Sequence, residues 1–153
     1  MINPIKIKQD LYLQCEVFIE NRLQTIQKTI YEIQESLTSE TKSSAGDKHE
    51  TGRAMLQLER EKAGCQLAEI QKIKENFYKI DISKTSKIIG LGSLVYTTSA
   101  NYFIGISAGQ LTVDSTKVYA ISNNTPIGQL LMGKITGDEI IFREQKFVIK
   151  KVL

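Results

Sequence analysis

Along the first half of the chain the apolar side chains fall in steps of three and four. Ile19, Leu23, Ile26, Ile30, Ile33 and Leu37 are spaced 4, 3, 4, 3, 4, and Leu11 and Cys15 extend the series backwards by fours. A helix returns such positions to one side, so the series is the a/d seam of a coiled coil and predicts a helix over 8–38. The next stretch, Thr38 to Gly46, is polar, has no period and ends in Gly, so it reads as a loop. Apolar spacing resumes at Met55 and Leu58 and continues through Ala63, Leu67, Ile70, Ile73 and Phe77, predicting a second helix over 48–79. Two helices with narrow stripes and a short polar connection bury those stripes most simply against each other, as an antiparallel hairpin. At ~1.5 Å per residue, arms of ~30 residues would be roughly 45 Å long. Gly64 weakens the second arm by roughly 1 kcal/mol relative to Ala.

Beyond Asp81 the pattern changes. Segments 87–98, 102–107, 111–122, 139–142 and 146–152 are rich in β-branched and aromatic residues, with turn signals at Ala108-Gly109, Asn123-Asn124 and Thr136-Gly137-Asp138. Four or five strands are expected. The run from Thr125 to Gly133 is a helical exception: Thr can cap it, Pro126 suits its first position and Gly133 can end it. The expected class is α+β, with an antiparallel coiled-coil hairpin over 1–80, its tip at 40–50, and an antiparallel sheet domain with one short helix over 81–153.

Composition narrows the chemistry. The 153 residues are 41% hydrophobic and 24% charged, enough for a core and unlike disordered or collagen-like chains. No apolar run approaches the ~18 residues of a membrane span, and Met1 to Lys8 lacks the apolar block of a signal peptide, so a cytoplasmic protein without membrane contact is expected. Twenty basic residues stand against 17 acidic ones. The halves carry 12 and 12, then 8 and 5, neither being a nucleic-acid footprint. Sequence-specific DNA binding is therefore not expected, and a monomer with a protein partner is. His49 is the sole histidine, which excludes a His-rich metal site. Metal chemistry would fall to carboxylates. In the hairpin, positions whose numbers add to about 90 face each other, which keeps Cys15 and Cys65 apart, and both are read as buried small apolar residues.

The candidate site is the tip, Ser43 to Glu50, where the chain reverses. Asp47 and Glu50 are three apart at a helix start, where exposed N–H groups favour negative charge. Two hard oxygen donors there can share a Mg²⁺ but fall short of its six ligands, so the rest would come from another molecule. The same spacing also fits a capping box that stabilises the helix and nothing more. Lys42, Lys48 and Arg53 either steer the tip toward phosphate or form a solvated face, and His49 reads as a solvated loop residue.

A hairpin with Gly46-Asp47-x-x-Glu50 at its tip, followed by a small β-rich domain, resembles the Gre family of bacterial transcript-cleavage factors. The run from Ile121-Ser122 through Thr125-Pro126-Ile127-Gly128, Leu131-Met132-Gly133-Lys134 and Gly137-Asp138 resembles that family's C-terminal pattern. The resemblance implies an FKBP-like C-terminal domain that grips RNA polymerase and a hairpin that enters its secondary channel. Asp47 and Glu50 would then help hold a Mg²⁺ and a water beside the polymerase's own aspartates, so that backtracked RNA is cut. The chain would not itself be an enzyme, would stimulate the polymerase's intrinsic cleavage, and would meet nascent RNA indirectly. Lys48, Arg53, Pro126, Ile127 and Gly128 are the expected partner-binding residues. The family tip continues as G-D-x-x-E-N-A-x-Y, whereas here Glu50 is followed by Thr51, Gly52, Arg53 and Ala54. Channel binding without cleavage is the first alternative, and a coiled-coil adaptor unrelated to polymerase, using the outer face of the hairpin, is the second. A prolyl isomerase is a remote third, because the C-terminal aromatics are explained equally well as core.

Overall fold

The computed structural model describes residues 3–42 and 47–153, with the side chains of 3–39 and 51–153. Helix α1 spans Pro4–Lys42 and α2 spans Asp47–Tyr78. Pro4 opens α1 where a missing N–H costs nothing, and Asn3 caps it, its Oδ1 accepting from the Ile5 amide at 3.0 Å. Past Pro4, α1 contains neither Gly nor Pro. The helix therefore continues through residues 38–42, which had read as loop. Thr38 stays helical by donating its hydroxyl to Gln34 O at 3.0 Å, four residues back.

By compactness the chain divides into two units, one formed by Met1–Phe18 with Asn76–Leu153 and the other by Ile19–Glu75. The change of periodicity at 80/81 marks a different division. In the Ile19–Glu75 unit the arms run antiparallel: Glu20 pairs with Lys74 at 2.6 Å, and Arg53 donates to Leu37 O at 3.2 Å. Ile33, Leu37 and Ala63 are buried between them, with Ile30 and Leu56 packed alongside. Met55 and Leu58, read as the start of the second stripe, are instead 60% and 66% exposed. Leu56 takes the seam position, placing Leu56, Ala63, Leu67 and Ile70 on one side.

The other unit is built on a six-stranded sheet of order β3-β4-β2-β1-β6-β5. The strands are β1 Leu94–Thr97, β2 Asn101–Gly105, β3 Gly109–Val113, β4 Thr116–Ser122, β5 Glu139–Phe142 and β6 Gln145–Val152. Among the described residues, β2 and β4 pair in parallel while the other pairs are antiparallel, so the sheet is mixed and not antiparallel throughout as expected. Segment 111–122, read as one strand, is broken by a two-residue turn at Asp114 and Ser115, with φ 48° and 67°. Positive φ at both central residues matches the twist of a tight hairpin, and Arg143-Glu144 makes the same turn between β5 and β6. Segment 87–98 keeps only its last part as strand. Gly92 at φ +86° turns the chain, and Ile89 pairs its backbone with Gly133 and Lys134 at 2.9 Å.

Helix α3, Pro126–Leu131, closes one face of this sheet. Its Ile127 and Leu131 join Ile89, Val95, Ile104, Ile140, Phe147 and Ile149 in one buried cluster. The first residues of α1 and the last of α2 belong to the same unit. Tyr12 stacks on Phe77 at 4.3 Å, Leu11 and Cys15 are fully buried, and Gln14 Nε2 donates to Thr112 O at 3.0 Å. Lys8 is also covered. Its ammonium reaches Lys84 O at 3.3 Å, burial lowers its pKa, and the nearby Asp81 carboxylate partly offsets that. Among the described residues, no helix is long and apolar enough to cross a membrane.

Candidate functional site

Asp47 is the first residue of α2 and Glu50 lies three positions on, in the same first turn. There the backbone N–H groups have no partners within the helix and favour negative charge. The side chains of Asp47, Lys48, His49 and Glu50, and residues 43–46 altogether, lie outside the described residues. Among the described residues, no group of three or more His, Cys, Asp or Glu side chains could hold a metal ion.

Arg53 is the first described charged side chain of α2. It is half-buried and its guanidinium donates to Leu37 O of α1 at 3.2 Å. This side chain, expected to face a partner, thus also ties the two arms together. Beside it a groove of about 510 Å³ opens between the arms. Gln34, Leu37 and Thr38 line it from α1, and Arg53, Gln57, Arg60 and Glu61 from α2. Arg60 and these neutral polar residues escaped the sequence reading. They could have been found by applying the antiparallel register, which sets residues 34–38 of one arm against residues 53–57 of the other.

In the sheet unit, Pro126 opens α3, while Ile127, at 8% exposed, and Gly128 are buried. Thr125 Oγ1 accepts from the Gly128 amide at 3.1 Å and donates to Ser122 O at 2.8 Å. A Cβ at Gly128 would collide with Ser122 O, so only glycine lets the helix approach that backbone. The Thr-Pro-Ile-Gly run is therefore first a folding element. Apolar side chains exposed in this unit include Ile88, Leu91, Leu130 and Ile135.

The two cysteines differ. Cys15 is buried, and burial pushes its thiol up to about 12, which keeps it protonated and inert. Cys65 is exposed, contrary to its reading as a core residue, because it lies one position past Gly64 and off the Ala63 seam.

No family model matches the chain, and no curated protein matches it. A solved structure described as that of the transcription factor Gfh1 matches 88% of this chain and 90% of its own, at 18% identity and a TM-score of 0.37. A likeness that slight leaves function open.

Chemically, the start of α2 carries two acidic residues, Asp47 and Glu50, within one helical turn. The groove offers guanidinium, amide and hydroxyl donors. The first suits a cation whose remaining ligands come from elsewhere, and the second is polar and of mixed charge, with Glu61 beside the two arginines.

Proposed function

We propose that this protein is an RNA polymerase accessory factor whose hairpin enters the secondary channel and whose Asp47 and Glu50 stimulate cleavage of backtracked RNA by the polymerase. The observation that carries this reading is the antiparallel two-helix hairpin whose second arm begins at Asp47, with Glu50 in the same turn. Residues 121–138, the second carrier of the Gre resemblance, form part of β4, α3 and the turn into β5.

Asp47 and Glu50 would serve as oxygen donors to Mg²⁺. Their chemistry suits that hard cation, and their number requires the polymerase to complete the shell. When bound, Mg²⁺ lowers the pKa of a water and offsets charge on the phosphodiester. Asp47 and Glu50 both belong to the first turn of α2, and Lys48 would be available to a phosphate. The chain would act as a monomer in the cytoplasm, touch RNA through the polymerase, and read no DNA sequence. The sheet unit would dock on the polymerase, with Pro126, Ile127 and Gly128 shaping the docking surface from within.

Channel binding without cleavage is the second reading. It is favoured by Thr51-Gly52-Arg53-Ala54 in place of the family's continuation and by the bond from Arg53 to Leu37 O. Cleavage assays on backtracked elongation complexes with 5′-labelled RNA separate the two. Wild-type protein is expected to shorten the RNA. Asp47→Ala and Glu50→Ala should each lower the rate more than the roughly 10–100-fold typical of outer-shell changes at metal sites, with binding retained. Binding without shortening by wild type would favour the second reading, and absence of polymerase binding would overturn both.

A further inference from the structure

The six-stranded sheet has two edges, β3 and β5, and the chain finishes them differently. Outward N–H and C=O groups on an edge strand are a template for another strand. Both edge strands belong to hairpins closed by a two-residue turn, at 114–115 and 143–144. The residues flanking such a turn bond to each other, so the next residue along each strand turns its backbone outward, and so does every second one after it. On β3 this selects Thr112 and Gln110. A side chain of α1 reaches that edge, where Gln14 Nε2 donates to Thr112 O at 3.0 Å. On β5 the alternation selects Ile141 and Glu139. Its phase is fixed from the far end as well, because Ile149 N donates inward to Asp138 O at 3.0 Å. Among the described residues, no backbone group beyond β6 takes up the outward groups of Ile141 or Glu139.

β5 also lacks the devices that usually blunt an edge. Its sequence, Glu-Ile-Ile-Phe, holds neither Pro nor Lys, and its register with β6 runs without a bulge. Ile141 is 68% exposed, on the side opposite the buried Ile140. Four residues are a short strand, and interfaces below roughly 1,200 Å² are weak and transient, so any pairing here shows at high protein concentration.

The strand is complementary to itself. In an antiparallel pair centred on Ile140, Ile141 of each copy lies opposite Glu139 of the other, and every outward N–H and C=O of both residues finds a partner. Charge selects the same direction. Asp138 and Glu139 stand at one end, and Arg143 stands at the other with its guanidinium 5.0 Å over the Phe142 ring. Antiparallel alignment brings the acidic end of one copy to the Arg143 end of the second, whereas parallel alignment would set like charges together. We infer that two copies of this chain associate through β5, joining their sheets edge to edge with Ile140 on the two-fold axis. Under the cleavage reading a single copy acts at the polymerase, and the pairing is a separate equilibrium of the free protein.

The test follows full-length protein by sedimentation velocity from low micromolar to near-millimolar concentration, with amide hydrogen exchange at both ends of that range. The mass is expected to rise from one copy toward two. Exchange at Glu139 and Ile141 should slow at least tenfold at the high end, while Ile140 and Phe142, already bonded to β6, hardly change. Ile141→Pro removes an outward donor and no bond to β6, so it should stay monomeric with a thermal midpoint near wild type. Ile141→Glu sets a carboxylate opposite Glu139 of the second copy and should dissociate the pair without altering the backbone. A single copy at the highest concentration would overturn the inference. So would a dimer whose Glu139 and Ile141 amides exchange as fast as in dilute protein, or wild-type association in Ile141→Glu.

Discussion

The two units bury their apolar side chains in different geometries. In the sheet unit, residues from β1, β2, α3, β5 and β6 converge on one cluster, so each buried side chain is enclosed by several elements. In the Ile19–Glu75 unit the core is a single file between two helices, exemplified by Ile33, Leu37 and Ala63, and large side chains such as Tyr31, Met55 and Leu58 stay exposed. An enclosed core constrains almost every neighbouring atom. A single file constrains one stripe and leaves the rest of each helix surface to other purposes. That contrast explains why a motif in the sheet unit resolves into folding residues, whereas the helical arms carry a polar groove and an acid pair without disturbing their seam.

Glycine supplies the sharpest way to break the contrast. Gly128 sits where α3 meets the Ser122-Asn123 backbone, and a Cβ there meets a carbonyl oxygen that cannot step aside. Gly128→Ala is therefore expected to destabilise the sheet unit by about 3 kcal/mol or more, at the top of the range for overpacking. Urea unfolding followed by the near-ultraviolet dichroism of tyrosines such as Tyr96 and Tyr102 would register it. A cost under about 1 kcal/mol would mean that α3 can slide off its seat, and that the enclosed-core description is wrong.

Cysteine gives the next comparison. Cys15 is fully buried, and Cys65 is exposed. Cys15→Ser places a hydroxyl in an apolar site and should cost about 1–3 kcal/mol, whereas Cys65→Ser should stay within about 0.5 kcal/mol of wild type. Burial raises the Cys15 thiol from the ordinary 9.0 to about 12, so the folded state holds its proton longer than the unfolded chain. The thiol's preference for the fold is fully present below pH 9 and is lost as pH climbs from there toward 12. A thiol reagent at pH 8 should accordingly label Cys65 at once and Cys15 at the rate of unfolding. Equal labelling of both would remove the distinction.

How much of this was legible in the sequence depends on whether the cause was local. The arms were legible because the stripe from Leu11 to Leu37 is sustained and α1 past Pro4 lacks Gly and Pro, while residues 38–42 misled because a polar composition does not by itself end a helix, and Thr38 meets its hydroxyl's needs within the helix by donating to Gln34 O. Helix α3 was legible from Thr125, Pro126 and Gly133, each carrying its own backbone preference. The parallel pairing of β2 with β4 was not, since it joins strands with a third, β3, between them in the chain. The Asp114-Ser115 turn was hidden because neither residue is glycine, although both adopt positive φ. For the site, Asp47 and Glu50 stood out by spacing. The groove did not, because its donors come from two helices and become neighbours once the register between them is fixed.

The smallest effect is the most informative about the hairpin. Gly64 lies inside α2, where the seam is carried by Ala63 and not by Gly64 itself. Alanine there gains helix propensity, and the added Cβ meets the flexible end of Arg60 and no backbone atom. Gly64→Ala should therefore stabilise the hairpin, by up to about 1 kcal/mol, the opposite sign to the same substitution at Gly128. The thermal midpoint of helical dichroism measures it. If Gly64→Ala destabilised the protein, Arg60 would have to be held against the helix by more than its own reach, and the single-file description of the hairpin would need a second layer of contacts on its groove side.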